Sequence, residues 1–278
     1  MASLHLSFEA ADGGATILRV QKQQPPWRVV RGFPAPSGEL LAHLHNVSGG
    51  IFDTDSLDCR IEVGARAQAQ VTSTGATRVY RSRSADRNGS QRMEVSVGEA
   101  GYLEYLPDAL IPFAGSRFEQ TARVALAHGA SLIWWDRIAP GREASGELFR
   151  FQSLASSFEI RASGEPVAIE RWSMEPLLRR VDSPARLGDF RHFAACYVCR
   201  AGEAREYWRE FESRVQAVAD RLSTPELLWG VTALRAHGLV IRGVAHSGRL
   251  LAEGLTEMWA AAKRILCGRV AVLPRKVH

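Results

Sequence analysis

Short segments that alternate apolar and polar residues, or that are rich in β-branched residues, dominate the first 200 positions of the chain. Gly, Pro, Asn or Asp residues separate one segment from the next, as around residues 15–20, 57–63, 131–135 and 158–161. A period of two predicts strands, and many strands at short intervals predict stacked sheets, a sandwich or a solenoid-like structure. The sequence shows no fixed repeat of about 20 to 50 residues, which argues against a regular repeat protein.

The pattern changes after residue 200. Residues 203–222 carry apolar positions at spacings of one, three and four, with Arg and Glu between them, and so predict an amphipathic helix. The break at 223–226 is expected to begin a new helix, because Pro225 suits a first helical position.

A second long helix is predicted after a β-type stretch at residues 238–242. Ser247 is expected to cap its first turn, and Gly268 is expected to end it after Cys267. Apolar residues recur on one side of this segment, which indicates a helix packed on a core.

Together these patterns predict a mainly β fold, either an irregular β-helix-like body or a stacked-sheet body, with a C-terminal helical pair. We expect a single domain over residues 1–278, with a β-rich body over 1–200 and a helix-containing part over 201–278 packed on it. The chain has 278 residues, 46% of them hydrophobic, which is enough for one large domain.

The charge of the chain comes from arginine. Of its 35 basic residues only Lys22, Lys263 and Lys276 are lysines, and the formal net charge is +5. The arginines are spread between acidic residues instead of forming a basic patch, which argues against a nucleic-acid partner. Planar guanidinium groups suit bidentate contacts with carboxylates at protein interfaces.

Targeting signals are not evident in the sequence. The first residues lack a basic start followed by an apolar stretch, and no run of about 18 apolar residues occurs. Four cysteines are too few to suggest a disulfide framework in a chain of this length. We therefore expect no membrane span and a cytoplasmic location.

Two pairs of potential metal ligands have simple structural interpretations. Cys196 and Cys199 have the spacing of half a zinc or redox site, but on a strand they would point to opposite faces. We interpret them as small buried thiols. His43 and His45 would share one face of a strand, yet two imidazoles make only half a site. Ordinary structural histidines are the preferred interpretation, and weak metal contact is the alternative.

Acidic residues occur in patterns that could form a calcium site or a catalytic pair. Residues 53–58 lack the Gly and Glu of a calcium loop, so a solvated turn is predicted there.

The chain lacks a Gly-x-Ser-x-Gly elbow and nucleotide-binding glycine motifs. One alternative function is a β-rich hydrolase that uses paired carboxylates such as Asp108 and Glu147. Another is a β adaptor protein with no role in handling a metal.

Several blocks follow one another in order along the chain: the Gly-Gly turn at 48–50 followed by Asp55, and the segments 71–82, 103–107 and 141–147. These blocks resemble the urease accessory proteins called UreD, or UreH in some species. Later matches follow at 169–171, 239–242, Trp259 and 273–276. The resemblance covers about residues 6–276, and its specificity comes from the order of the blocks. Arg78 departs from the Lys that is typical of the family.

The resemblance implies a non-enzymatic chaperone that matures nickel urease. Such proteins have irregular β-helical bodies with a few C-terminal helices. They bind the helical accessory protein UreF, recruit the GTPase UreG through it, and dock on the urease apoprotein. In the mechanism proposed for them, an internal tunnel conveys Ni²⁺ towards the urease active site.

A metal path is the site that the resemblance implies. It places Asp55, Thr77, Asp136 and Glu170 along the tunnel as weak, transient Ni²⁺ contacts. Turn or salt-bridge duty is the structural alternative for each of these residues. No tightly bound cofactor and no catalytic residue are expected.

Overall fold

The computed structural model describes residues 1–274, so the end of the predicted block at 273–276 lies outside the described residues. Strands make up most of the regular structure, as the alternating pattern predicts. The strands are β1 (Ala2–Ala10), β2 (Thr16–Gln23), β3 (Trp27–Arg28), β4 (Gly32–Pro34), β5 (Leu40–Asn46), β6 (Ser56–Val63), β7 (Gln68–Ser73), β8 (Thr77–Val79), β9 (Gly89–Val97), β10 (Tyr102–Tyr105), β11 (Leu110–Pro112), β12 (Arg117–Leu126), β13 (Ser131–Ile138), β14 (Ser153–Ala162), β15 (Glu165–Met174), β16 (His192–Arg200), β17 (Leu227–Ala233) and β18 (Gly238–Ala245). The two α-helices are α1 (Arg205–Leu222) and α2 (Gly248–Cys267), and a short 3₁₀ turn covers Glu143–Ser145.

The strands form two sheets, between which the chain passes back and forth. The first sheet has the order β15-β14-β12-β9-β6-β1-β2, and the second follows β17-β18-β16-β13-β10-β7-β5-β3. Strands β6, β9, β12 and β14 run parallel in the first sheet, while β5, β7, β10 and β13 run parallel in the second. Successive strands thus alternate between the sheets, which confirms the predicted β-helix-like, stacked-sheet body.

Antiparallel strands extend the second sheet beyond this winding. Strands β16, β18 and β17 add to it in that order. The helix start expected at 223–226 is wrong, because β17 follows at once. Leu227, Trp229 and Val231 are buried while the residues between them are exposed, so the period is two and not 3.6.

Two hydrophobic cores lie on opposite faces of the second sheet. The first fills the space between the sheets, and the second lies between the second sheet and the helices. Strand β13 serves both: Leu132 and Trp134 belong to the first core, whereas Ile133 and Trp135 belong to the second. This explains why residues 131–135 are almost uniformly apolar, as expected for a strand covered on both faces.

The helical pair packs on the second sheet as predicted. The side chain of Ser247 accepts a hydrogen bond from the Leu250 N–H at 3.3 Å, and Gly268 ends α2 with φ of 68°. The Gly268 N–H donates to the Arg264 carbonyl at 2.9 Å. The expected cap and stop of α2 are therefore confirmed. Within residues 1–274, neither helix is both long and apolar enough to cross a membrane.

A closed polar cluster lies beneath α2; we define it as Lys263, Glu39, Glu104, Tyr102 and Trp259. The Lys263 Nζ atom is 3.1 Å from a carboxylate oxygen of Glu39 and 3.1 Å from one of Glu104. Glu104 also accepts hydrogen bonds from the Tyr102 hydroxyl at 2.6 Å and the Trp259 indole N–H at 3.0 Å. Because both carboxylates and the ammonium are fully buried, these contacts replace their hydration.

Candidate functional site

A row of polar side chains interrupts the core between the sheets; we call Gln91, Gln120 and Ser156 the polar rung. The parallel register of the first sheet sets Gln120 opposite both Gln91 and Ser156. The Gln120 amide donates to the Ser156 hydroxyl at 3.1 Å. Their strands β9, β12 and β14 otherwise direct apolar residues into this core. The rung therefore marks a place where the sheets enclose polar space.

Three cavities lie beside the polar rung, between the two sheets. The Thr77 cavity encloses about 240 Å³, the central cavity about 40 Å³ and the Glu170 cavity about 300 Å³. Thr77, Gln91 and Tyr105 form walls of both the first and the central cavity. The residues shared between the central and Glu170 cavities are Gln120, Asp136, Ile138, Ser156 and Phe158. We call this series of adjoining cavities the passage, and its narrow middle has room for only a few water molecules.

Asp136 lies where the central and Glu170 cavities meet. It comes from β13 and accepts a hydrogen bond from the Trp134 indole N–H at 3.0 Å. Burial raises the pKa of Asp136 to about 6, with a smaller contribution from the Glu170 charge, while the Trp134 bond opposes the shift. Its ionised form is costly in this setting, so a cation in the passage would stabilise it.

Glu170 faces the passage from β15, at the edge of the first sheet. The Arg242 guanidinium approaches its carboxylate at 2.7 Å, and the Tyr197 hydroxyl donates a hydrogen bond to the same oxygen. All three side chains line the Glu170 cavity. Burial and the Glu170 contact raise the pKa of Tyr197, so this hydroxyl stays protonated as a donor.

Thr77 and Asp55 have different positions. Thr77 begins β8 and contributes to the wall between the Thr77 and central cavities. Asp55 accepts a hydrogen bond from the Phe52 N–H at 2.9 Å and closes a turn. It does not line any of the three cavities. The structure thus brings Thr77, Asp136 and Glu170 to one passage and leaves Asp55 in a turn.

The carboxylates of the hydrolase alternative are bound by different arginines. Asp108 lines the central cavity and lies 3.1 Å from the Arg137 guanidinium. Glu147 lies outside the passage, where it accepts hydrogen bonds from the Arg142 guanidinium at 2.9 Å and from the Ala114 N–H at 3.1 Å. The Arg142 hydrogen bond lowers the pKa of Glu147, opposite to what a general acid requires. The geometry therefore gives no support to this acid–base pair.

The remaining sequence candidates have structural roles or incomplete ligand sets. Cys196 faces the helices and Cys199 the space between the sheets, which confirms that they point to opposite faces. His43 and His45 share a face, with ring centroids 6.5 Å apart. Asp53 accepts hydrogen bonds from the Arg83 and Ser84 N–H groups and is buried, and residues 56–58 belong to β6. The prediction of a solvated turn over 53–58 is therefore wrong for these residues.

The ligand chemistry of the passage is that of weak oxygen donors. Within residues 1–274, His, Cys, Asp and Glu side chains do not come together in groups of three that could hold a metal ion. The passage instead offers carboxylates, the amides of the polar rung and the hydroxyl of Thr77. The polar rung is not among the sites predicted from the sequence. Its signal is a Gln or Ser at an inward position of an otherwise apolar alternation, as Gln120 is between Phe118 and Ala122.

Fold and site together define a class: a two-sheet β protein that encloses an oxygen-lined passage and carries its helices on one outer face. Comparison with known proteins then gives the family. The family model described as UreD urease accessory protein matches residues 1–278. The chain belongs to the UreD family of urease accessory proteins, which confirms the resemblance and supports a role in urease maturation.

Relatives of the chain carry the same description. A urease accessory protein UreD of Herpetosiphon aurantiacus is 39% identical over 264 residues, which are 95% of this chain and 92% of the relative. One of Dechloromonas aromatica is 32% identical over 99% of this chain and 93% of the relative. One of Deinococcus radiodurans is 30% identical over 95% of this chain and 93% of its own length. The likeness extends over almost the full length of each protein.

Proposed function

We propose that this protein is a non-catalytic chaperone that delivers Ni²⁺ to the urease apoprotein through the passage between its sheets. The observation that carries the proposal is the alignment of three adjoining cavities with Thr77, Asp136 and Glu170 in their walls. Ni²⁺ is the cargo here, so it must enter, move and leave. We expect this delivery to take place in the cytoplasm.

Weak ligands suit a transported ion. A closed cage of imidazoles or thiolates would hold a divalent transition metal tightly, whereas single carboxylates, amides and hydroxyls exchange readily. The central cavity has room for only a few water molecules, fewer than the complete hydration shell of a divalent ion contains. Oxygen atoms of Asp136 and the polar rung would replace part of that shell during passage.

The proposed partners supply what this chain does not contain. A UreF-like helical protein would bind it directly, a UreG-like GTPase would join through UreF, and the complex would dock on urease. The sequence carries no nucleotide-binding glycine motif, so a GTPase partner provides nucleotide hydrolysis. Co-purification of tagged protein with these partners tests the assembly, and their absence from the complex would contradict it.

Blocking the passage tests the delivery step. The Thr77→Trp variant places a large side chain at the wall shared by two cavities, where about 240 Å³ is free on one side. We expect the partner complex to persist and urease activation to fall strongly when all components are co-expressed with limiting nickel. Activity per nickel-loaded urease should stay normal, because only the loading step changes.

A matched control separates blockage from general damage. Thr232 is an exposed strand residue of β17 that lines none of the three cavities, so Thr232→Trp should leave activation unchanged. Normal activation by a folded, partner-bound Thr77→Trp variant would contradict transport through the passage.

A further inference from the structure

The charges along the passage are neutralised unevenly. Asp108 is paired with Arg137 at 3.1 Å in the central cavity, and Glu170 is paired with Arg242 at 2.7 Å in the Glu170 cavity. Asp136 lies between them and, among the described residues, forms no ion pair. Three carboxylates and two guanidinium groups leave a net charge of −1 in the passage when all are ionised.

We infer that Arg242 and Arg137 set the cation affinity of the passage by occupying two of its three carboxylates. This inference deepens the proposed function and rests on it only for the identity of the cargo. Arg242 extends from β18 towards Glu170, and Arg137 pairs from β13 with Asp108; each of these carboxylates lines a cavity. Arg242 and Arg137 are thus positioning residues of the passage.

The physical effect of the pairs is to weaken binding without removing ligands. A divalent cation that contacts Glu170 must displace Arg242 or tolerate its positive charge at short distance. The same holds for Asp108 and Arg137. Without the arginines, three carboxylates with a total charge of −3 would line the central and Glu170 cavities and hold the ion. With them, only Asp136 offers an uncompensated charge, so an ion passes instead of being trapped.

Arginine suits this role better than lysine. Its guanidinium stays charged at any physiological pH and holds a carboxylate through directed N–H groups. Tyr197 donates to the same Glu170 oxygen as Arg242, so two donors orient this carboxylate. The pair therefore acts as a fixed counter-charge at this end of the passage.

The Arg242→Gln variant tests the inference through nickel binding. The Arg242 side chain is 59% exposed, so the fold should tolerate its replacement. Full-length protein is titrated with NiCl₂ by calorimetry or equilibrium dialysis at pH 7.5. We expect Kd to decrease by roughly three- to tenfold, a range that allows for screening of a half-exposed charge. An unchanged or weaker affinity in folded protein would overturn the inference.

A control and a double variant fix the cause. Arg249 pairs with Glu253 on α2 and lines none of the passage cavities, so Arg249→Gln should leave Kd unchanged. In the Arg242→Gln/Glu170→Gln double variant the gain in affinity should disappear, because the released carboxylate is gone. A gain that persists in the double variant would contradict the role of the pair.

The outcome is independent of the activation experiment. Tighter nickel binding by Arg242→Gln together with normal activation by Thr77→Trp would support the counter-charge role and refute delivery through the passage. Loss of urease activation by Thr77→Trp together with unchanged nickel binding by Arg242→Gln would support delivery through the passage and refute the counter-charge role.

Discussion

The passage and the closed polar cluster both bury charged groups against the second sheet, but on opposite faces of it. In the cluster, the Lys263 ammonium lies between two carboxylates, and Glu104 accepts further bonds from Tyr102 and Trp259. In the passage, Asp136 has one hydrogen-bond donor among the described residues, the Trp134 indole, and it borders free space. A saturated cluster holds elements together, whereas an undersaturated carboxylate beside a cavity is available to a ligand. Burial of charge alone does not distinguish a site; unused ligand capacity does.

The largest expected effect breaks the closed cluster. Lys263→Met keeps a long side chain but leaves Glu39 and Glu104 without their shared ammonium, so we expect a loss of about 3–5 kcal/mol in the free energy of unfolding. Chemical denaturation followed by tryptophan fluorescence measures it. Lys22→Met, at an exposed position of β2, should change stability by no more than about 0.5 kcal/mol. Equal, small effects of both changes would show that the cluster is not structural.

The next-largest effect is a gain in the free energy of unfolding, expected when Asp136 of the passage is replaced. The pKa of Asp136 is raised in the folded protein to about 6 from 3.8, so the folded state binds the proton more tightly than the unfolded state. This group therefore lowers stability as pH rises from about 4 through about 6. Asp136→Asn removes that cost, and we expect about 1–3 kcal/mol of added stability at pH 7.5.

Its control is Asp12→Asn, which removes the same charge at an exposed turn and should leave stability almost unchanged. Thermal unfolding at pH 4.5 and 7.5 compares the variants. The gain of Asp136→Asn should shrink at the lower pH, and a gain that is equal at both would contradict the raised pKa.

Nickel binding should follow the same titration. If Asp136 contacts the ion, protonation competes with the metal, and affinity should fall about tenfold between pH 7 and pH 5. Asp136→Asn should bind more weakly at pH 7 and show a much flatter profile. Dialysis against NiCl₂ across this range gives the measurement; identical profiles for both proteins would assign the pH dependence to other groups.

The smallest expected effect is that of Ser156→Ala in the passage, which is compared with the loss of a single hydrogen bond in the closed cluster. Ser156→Ala removes the acceptor for the Gln120 amide, but the cavity admits water in its place, so we expect a cost below about 1 kcal/mol. Tyr102→Phe removes a donor to the enclosed Glu104 carboxylate and should cost about 1.5–3 kcal/mol. Denaturation midpoints measure both, and a larger cost for Ser156→Ala would reverse the distinction between the regions.

Local patterns predicted the elements well where they act within one segment. Alternation identified the strands, Ser247 identified the start of α2, and the strand period placed Cys196 and Cys199 on opposite faces. The prediction failed at Pro225, where a local helix-start preference lost to the buried alternation of β17. Short-range preferences are weak compared with burial of three large side chains.

The site depends on pairings that a single sequence does not reveal. Thr77, Asp136 and Glu170 came from the family resemblance, and their common passage exists only because the register of two sheets brings them together. The polar rung needs the parallel alignment of β9, β12 and β14 to become one row. The guanidinium partners, Arg137 and Arg242, could not be chosen from many similar arginines without the fold.

The closed cluster also imposes an order on folding during protein synthesis. Lys263 is made 159 residues after Glu104, so β10 leaves the ribosome long before its counter-ion exists. Until α2 arrives, the outer face of the second sheet is an uncovered apolar surface that contains unpaired carboxylates. Contacts of such long sequence separation form late and leave the nascent chain open to aggregation. We expect this face to be the most aggregation-prone part of the nascent chain until α2 folds onto it.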